Sequence, residues 1–315
     1  MSPSLVNSRF PFMLDERQIS RSVGHTVPPL RIFTLEGLGI DKDEFLSFLR
    51  PTFSLLHIDQ YDPKRNRLAF LKKCFPEESR RLDDFLVDQY SEHEDLDAIA
   101  DLLARLAPTD LHEFDRIGLT SRRKRSIARF QLRRNEHSPG FTADSWGVKR
   151  VGAQEFKQNV GANDSRSLVR KFREAPEFVT DFPPMQHLIR CLANMVLELR
   201  PDTRALEMNL HQMFVFADMM SVGDNAPEGI HQDGTDFIVS ALVIERAGIL
   251  GGESIVYGPD KKTEYLRRTL QAGEGIFQAD KGSELWHYVT SIKEDPDTPP
   301  DYGHRSIIGF DIDIV

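Results

Sequence analysis

The run Pro227-Glu228-Gly229-Ile230-His231-Gln232-Asp233-Gly234 sets an imidazole and a carboxylate one residue apart. On an extended strand, positions i and i+2 share a face, so His231 and Asp233 can reach one ion together. A ring nitrogen with a carboxylate oxygen suits Fe(II), Mn(II) or Zn(II). A His-X-Asp triplet alone is common by chance, so a third ligand decides the matter. His287, in the β-rich stretch Leu285-Trp286-His287-Tyr288-Val289-Thr290, is the candidate. A jelly roll can return such a distant strand beside an earlier one. His231, Asp233 and His287 would then leave three positions open for substrates and O₂, the facial arrangement of non-heme iron. The alternative for His287 is a half-buried histidine donating to a backbone carbonyl.

Arg305 opens the C-terminal strand. A fixed guanidinium is the group that grips one end of a dicarboxylate with two parallel hydrogen bonds. A surface salt bridge is its ordinary alternative. His304 competes for the third ligand position, but neighbours on a strand point to opposite faces. If Arg305 points inward, His304 points outward, which favours His287. Arg305 shares parity with Asp311 and Asp313 rather than with Ile308, Phe310, Ile312 and Ile314. Either the strand bulges, or its apolar face packs against helices while the other face lines a polar pocket.

Elements able to position these residues are legible from periodicity. From residue 205 the pattern is strand-like over 206–217, 235–246, 252–258, 263–270, 274–279, 286–293 and 305–315, with Gly, Pro, Asp or Asn between segments. Many short strands without intervening helices predict a sandwich or jelly roll. Upstream, Asp41 and Glu44 form a capping box before Phe45, Phe48 and Leu49, in a helix that stops near Pro51. Leu96, Ile99, Leu102, Leu103 and Leu106 predict a helix within 91–106, ended by Pro108, with Glu92, Glu94, Asp95 and Asp97 as its solvated face. Another helix follows Pro183-Pro184, with Leu188, Leu192, Met195, Val196 and Leu199 as one stripe. The expected fold class is α+β. Residues 1–115 form a mostly helical extension packed on the core, and residues 116–315 form the double-stranded β-helix, or jelly roll.

The His231–Asp233 run, Gly251-Gly252-Glu253, Trp286-His287-Tyr288-Val289-Thr290, Tyr302-Gly303-His304-Arg305 and the pair His211-Gln212 together resemble one family. It is the Fe(II)/2-oxoglutarate dioxygenases that act on free amino acids, the isoleucine-hydroxylase type. The resemblance spans residues 120–315. His304 stands where that family usually has Asp, and Phe214 where it tends to carry a basic residue. The resemblance implies Fe(II) on His231, Asp233 and His287, with the distal carboxylate of 2-oxoglutarate on Arg305. It implies that 2-oxoglutarate is decarboxylated to succinate and CO₂ with O₂ consumed, while an unactivated C–H bond of a small, aliphatic amino acid is oxidised. Hydroxylation, cyclisation and desaturation are all open as outcomes. Phe214, Phe216, Phe237 and Trp286 are expected as pocket walls, with a plain core role as the alternative for each. His211 either touches substrate or is a satisfied strand histidine. Gln158-Asn159 and Arg129-Phe130 could meet a zwitterion at the barrel mouth.

Composition narrows the competing functions. The 315 residues carry 40 Lys+Arg against 49 Asp+Glu, a formal charge of −9, which disfavours nucleic acid. The basic run Arg122-Arg123-Lys124-Arg125 is therefore expected to pair with acidic neighbours. With only Cys74 and Cys191, a disulfide framework or cysteine zinc site is excluded. The longest apolar run, Ile238–Ile244, is far too short for a bilayer, and no apolar stretch marks a secretion signal, so a cytoplasmic protein with no membrane partner is expected. Its assembly state is open, a homodimer among the options. A peptide or protein side-chain hydroxylase and a non-catalytic, cupin-like metal-binding protein remain as rival functions. A zinc hydrolase is weaker, because no spare general base accompanies the triplet. Arg305 discriminates the oxygenase readings from a binding module or a hydrolase, neither of which needs a dicarboxylate clamp.

Overall fold

The alternation that predicts strands after residue 205 is realised almost strand for strand. The computed structural model describes residues 29–59, 61–88, 96–118, 121–135, 145–153, 155–156, 170–298 and 303–315. In chain order the elements are β1 (Leu30–Thr34), α1 (Lys42–Leu49), β2 (His57–Ile58), α2 (Tyr61–Cys74), α3 (Ser79–Asp88), α4 (Ala100–Leu103), α5 (Pro108–Gly118), β3 (Arg123–Arg134), β4 (Trp146–Val151), β5 (Glu155–Phe156) and β6 (Arg170–Lys171). They continue with α6 (Glu177–Thr180), α7 (Pro183–Leu199), β7 (Ala205–Ala217), β8 (Phe237–Ala247), β9 (Ile249–Gly251), β10 (Ser254–Tyr257), β11 (Glu264–Arg268), β12 (Glu274–Ala279), β13 (Trp286–Val289), β14 (Ile292–Glu294) and β15 (Gly303–Ile314).

The large sheet runs β1-β12-β8-β15-β7-β3-β2, with β4 beside β3, and its pairings are antiparallel. A smaller sheet, β11-β10-β13, and the ribbon β14-β9 complete the jelly roll. One face of the large sheet packs on helices. There Leu188, Leu192, Met195 and Val196 of α7, spaced for one helical face, meet Ile308, Phe310 and Ile312 of β15 and Leu206, Met208 and Leu210 of β7. The other face turns toward the small sheet. It joins Ala241, Val243, Ile276 and Ile307 to Val256 of β10 in a separate apolar cluster. The parity conflict at Arg305 is resolved by this division: the apolar side of β15 meets helices, and the side holding Arg305 and Asp311 faces a cavity.

The described residues of the segment expected as a mostly helical extension fall into two groups. β1 pairs with β12, β2 pairs with β3, and Phe45, Leu46 and Leu49 of α1 belong to the main core. The side chain of Asp41 caps α1 by accepting from the Glu44 N–H at 2.9 Å. By contrast α2 to α5 bury their own core, built on Leu68, Leu71, Phe75, Leu82, Ile99, Leu102 and Phe114. The helix expected across 91–106 is not continuous: Leu96–Ile99 is a 3₁₀ turn, α4 is four residues long, and Pro108 opens α5. Proline suits the first turn of a helix, where its missing N–H costs nothing. The expected acids Glu92, Glu94 and Asp95 lie outside the described residues. Among the described residues no helix is long and apolar enough to cross a membrane.

Candidate metal and cosubstrate centre

Glycines and one glutamine shape the loop that carries His231 and Asp233. Gly229 and Gly234 adopt φ of 77° and 87°, a region a side chain disfavours. Gln232 points away from the cavity, and its Nε2 donates to the carbonyls of Asp280 at 2.9 Å, Ser283 at 3.1 Å and Leu285 at 2.7 Å. This stitches the loop to the turn that leads into β13. His231 and His287 then exchange backbone hydrogen bonds, both 3.0 Å, as an isolated antiparallel bridge. Directly opposite residues of such a pair carry their side chains side by side, and the two imidazole centroids lie 4.2 Å apart.

Asp233 completes the cluster. Its Oδ1 lies 3.4 Å from His231 Nε2 and its Oδ2 3.4 Å from His287 Nε2. One ligand atom from each of the three residues falls within 4.8 Å of the others. Ligands bonded to one ion at ~2.1 Å and at right angles stand about 3 Å apart, so the set needs little movement to share a cation. His231 Nδ1 is 2.7 Å from the Gly229 carbonyl and so carries the proton, which leaves Nε2 as the available lone pair. Burial opposes a charged His231, but the Asp233 carboxylate overrides it and lifts the imidazole to about 9. Burial likewise opposes an ionised Asp233, yet the two histidines hold its carboxyl well below the ordinary range. An ionised carboxylate buried between two imidazoles is a cation site, and a divalent ion would displace the proton. Glu228 is adjacent, its Oε1 3.3 Å from His231 Nε2.

Sequence reasoning missed Asp280. It is wholly buried, and its Oδ2 accepts from the Gly234 N–H at 2.7 Å. Its Oδ1 and His287 Nδ1 face each other at 3.9 Å, and neither bonds any described residue. That is the geometry of a carboxylate poised to orient a ligating histidine. Burial, with Asp233 nearby, lifts Asp280 to about 6. The only cue in sequence was its place in the turn Asp280-Lys281-Gly282.

Arg305 is also wholly buried. Its Nη1 donates to Asn225 Oδ1 at 3.0 Å, whereas Nε and Nη2 find no partner among the described residues. Burial, with Arg246 close by, lowers it to about 9, so it keeps its charge at neutral pH. A buried cation with two idle donors in a fork is a receptor for a carboxylate. Gly252 makes the room: a Cβ there would lie 3.2 Å from Arg305 Cδ and 2.8 Å from Arg246 Nη1.

His231, Asp233, His287 and Arg305 line one cleft, with about 880 Å³ of atom-free space including its mouth. His211 lines it too, satisfied on both nitrogens, at 2.9 Å from Arg125 Nη2 and 3.0 Å from Asp311 Oδ2. The aromatic wall expected from sequence is not there. His211, Met213 and Val215 point inward, so alternation sends Phe214 and Phe216 the other way. Phe214 stacks on His304 at 5.0 Å, and Phe216 lies under the Arg122 guanidinium at 5.5 Å. Phe237 stacks on Phe277 in the main core at 5.5 Å. Trp286, next to the inward His287, faces out beneath Lys261 Nζ at 3.4 Å. Met213, Ala226, Val239, Val289 and Ile307 supply the apolar lining instead. Arg129 is taken by Asn209 Oδ1 at 2.9 Å. His304 turns outward to Glu245 at 3.1 Å. Gln158 and Asn159 lie outside the described residues. Of the basic run, Arg122 and Arg123 pair with Asp218 and Asp59, at 3.1 and 2.9 Å.

The family model of the 2OG-Fe dioxygenases matches residues 110–311. The chain belongs to that family. This dioxygenase is therefore an enzyme that uses Fe(II), 2-oxoglutarate and O₂, and its cluster of two histidines and a carboxylate is a donor set suited to that metal. Among solved structures, it is similar to a bsmA homolog from Methylobium petroleophilum PM1, with a TM-score of 0.61 at 17% identity over 91% of this chain and 89% of that one. It also matches IDO from Bacillus thuringiensis, with a TM-score of 0.47 at 15% identity over 62% of this chain and 79% of that one. A third match is TqaL, an Fe(II)/(alpha)ketoglutarate-dependent dioxygenase, with a TM-score of 0.43 at 13% identity over 80% and 90%. No curated protein sequence matches the chain. The first of these likenesses supports the jelly-roll fold and nothing finer.

Proposed function

We propose that the dioxygenase oxidises an unactivated C–H bond of a small, free aliphatic amino acid. His231, Asp233 and His287 hold Fe(II), and Arg305 binds the distal carboxylate of 2-oxoglutarate. The observation that carries this reading is that three ligand atoms within 4.8 Å and a fully buried guanidinium with two idle donors line the same cleft. Iron and 2-oxoglutarate supply the oxidising power when bound. The chain's own residues do the rest. Arg305 and Asn225 orient the cosubstrate, Asp280 orients His287, and Val239, Val289 and Ile307 keep the reacting carbon's surroundings dry.

Charge along the cleft supports a substrate without net charge. Arg65, Arg123, Arg125 and Arg305 face Glu228, Asp233 and Asp311, and Asp59 neutralises Arg123 from behind. Among the described lining residues together with Asp59, four positive groups stand against four negative ones, and the charges of Fe(II) and 2-oxoglutarate would offset each other as well. A zwitterion with an aliphatic side chain fits such walls. The family motifs shared with free-amino-acid hydroxylases point the same way. The test is succinate release in the presence of Fe(II), 2-oxoglutarate and O₂ across a panel of free amino acids. Aliphatic members are expected to stimulate it above the substrate-free rate. Stimulation by lysine, arginine or a folded protein in preference to every aliphatic amino acid would contradict the reading.

A further inference from the structure

The loop that carries two of the metal ligands carries a further carboxylate. Ala226-Pro227-Glu228-Gly229 is a tight turn, closed by the Gly229 N–H donating to the Ala226 carbonyl at 3.0 Å. Proline at the second position presets such a turn, and Gly229 takes φ of 77° at its end. The backbone of Glu228 is thereby fixed. Its side chain, 26% exposed, lines the cleft together with Asn225, His231 and Asp233.

Among the described residues Glu228 has one polar partner, His231 Nε2 at 3.3 Å. That contact does not outlast metal binding. His231 donates Nδ1–H to the Gly229 carbonyl at 2.7 Å, so Nε2 is the atom that takes the ion and then has no proton to share. Glu228 is not a fourth ligand, because the described ligand atoms within 4.8 Å of one another belong to His231, Asp233 and His287. The two charges of Fe(II) are met by Asp233 and by the cosubstrate carboxylate that Arg305 does not hold. Of the described carboxylates that line the cleft, Asp233 goes to the ion and Asp311 Oδ2 is engaged by His211 Nε2 at 3.0 Å. Glu228 is the one left facing the substrate. Once substrate fills the cleft and displaces water, its oxygens need an N–H donor.

We propose that Glu228 receives the ammonium group of the substrate and sets its amine end beside the metal. The inference rests on the amino-acid reading above and deepens it, because it names the side chain that separates an amine-bearing substrate from the same molecule without its amine.

The test uses the full chain, held anaerobically with Fe(II) and 2-oxoglutarate and titrated by calorimetry with two matched pairs: L-valine against isovalerate, and L-leucine against isocaproate. Each pair differs only in the amine. The amine-bearing member of at least one pair should bind more tightly to the parent. Glu228→Gln, which keeps size and removes charge, should weaken that member by about 10-fold, the lower end for a hydrogen bond to a charged group, because water reaches part of the side chain. The deaminated member, Fe(II) and 2-oxoglutarate should bind the variant as they bind the parent. Glu228→Asp, one methylene shorter with the charge kept, should fall between. Equal binding within both pairs by the parent, or no binding of either, would overturn the proposal. An equal loss of both members in Glu228→Gln would reduce Glu228 to a residue that shapes the loop, and a loss of Fe(II) affinity would make it a ligand; either result also overturns the proposal. If the amine preference depends on Glu228 while no free amino acid stimulates succinate release, the ammonium site stands and the amino-acid reading falls. If free amino acids stimulate succinate release and Glu228→Gln keeps the preference, the reading stands and the ammonium site falls.

Discussion

Asp280 gives the sharpest single-residue expectation. A carboxylate behind a ligating histidine commonly raises metal affinity 10- to 100-fold. Asp280→Ala should weaken Fe(II) or Mn(II) binding by about that factor, and Asp280→Asn by less, because an amide oxygen still accepts. Metal titration of the two variants checks this, and unchanged affinity in Asp280→Ala would show that the 3.9 Å approach to His287 is idle. His211 gives a pH expectation. Its folded-state value is lowered, while an unfolded histidine takes up its proton near pH 6.5. Below about pH 6.5 the unfolded state therefore binds more protons, and stability is lost as pH falls. Urea midpoints at about pH 7.5 and 5.5 should drop more in the parent than in His211→Gln. Equal drops would mean that His211 charges freely in the fold. Legibility at this scale followed chemistry. His231, Asp233, His287 and Arg305 stand out because their residue types are those that a metal and a dicarboxylate would need. Asp280 and Asn225 were missed because their value lies in what they touch, and nothing in their local pattern shows that. The aromatic residues misled because size draws attention while parity decides direction. Phe214 and Trp286 each sit one residue from an inward position.

Among the elements, strands were the readable part. β7, β8, β10, β11, β12, β13 and β15 fall within or beside the segments that alternation marks, because one face of each is packed and glycine or proline bounds it. β3 is ambiguous between strand and loop in sequence, since its run of basic residues hides the inward Ile127 and the pairing with β7 along its length. β1 is short, and only long-range pairing to β12 reveals it. The turn at Gly251-Gly252 has a testable role. Gly252 has φ of 65°, and a methyl group there would press on Arg305 Cδ and Ile292 Cγ2, whereas a methyl group on Gly282, at φ 70°, would meet nothing within 4 Å. Alanine at either site should cost about 1–2 kcal/mol from the left-handed backbone. Gly252→Ala should in addition lower 2-oxoglutarate affinity by displacing Arg305, and Gly282→Ala should not. Denaturation midpoints and 2-oxoglutarate titrations of the pair separate strain from displacement, and a cosubstrate affinity equal in both would remove Gly252 from the clamp.

Over the whole molecule, the net negative charge of the chain is not repeated in the cleft, where arginines and carboxylates balance among the described residues. The chain carries −9 overall, yet arginines converge on one cleft. The helical unit of α2 to α5, with its own core, reaches this cleft through Arg65. The most direct test of the iron and cosubstrate assignment is anaerobic 2-oxoglutarate binding to the Fe(II)-loaded parent and to Arg305→Ala. Removing one partner of a buried charge pair costs about 2–5 kcal/mol, so affinity should fall by roughly one and a half to three and a half decades while Fe(II) binding is kept. Equal 2-oxoglutarate affinity in the two proteins would contradict the assignment of Arg305, and with it the reading of this cleft as the cosubstrate site.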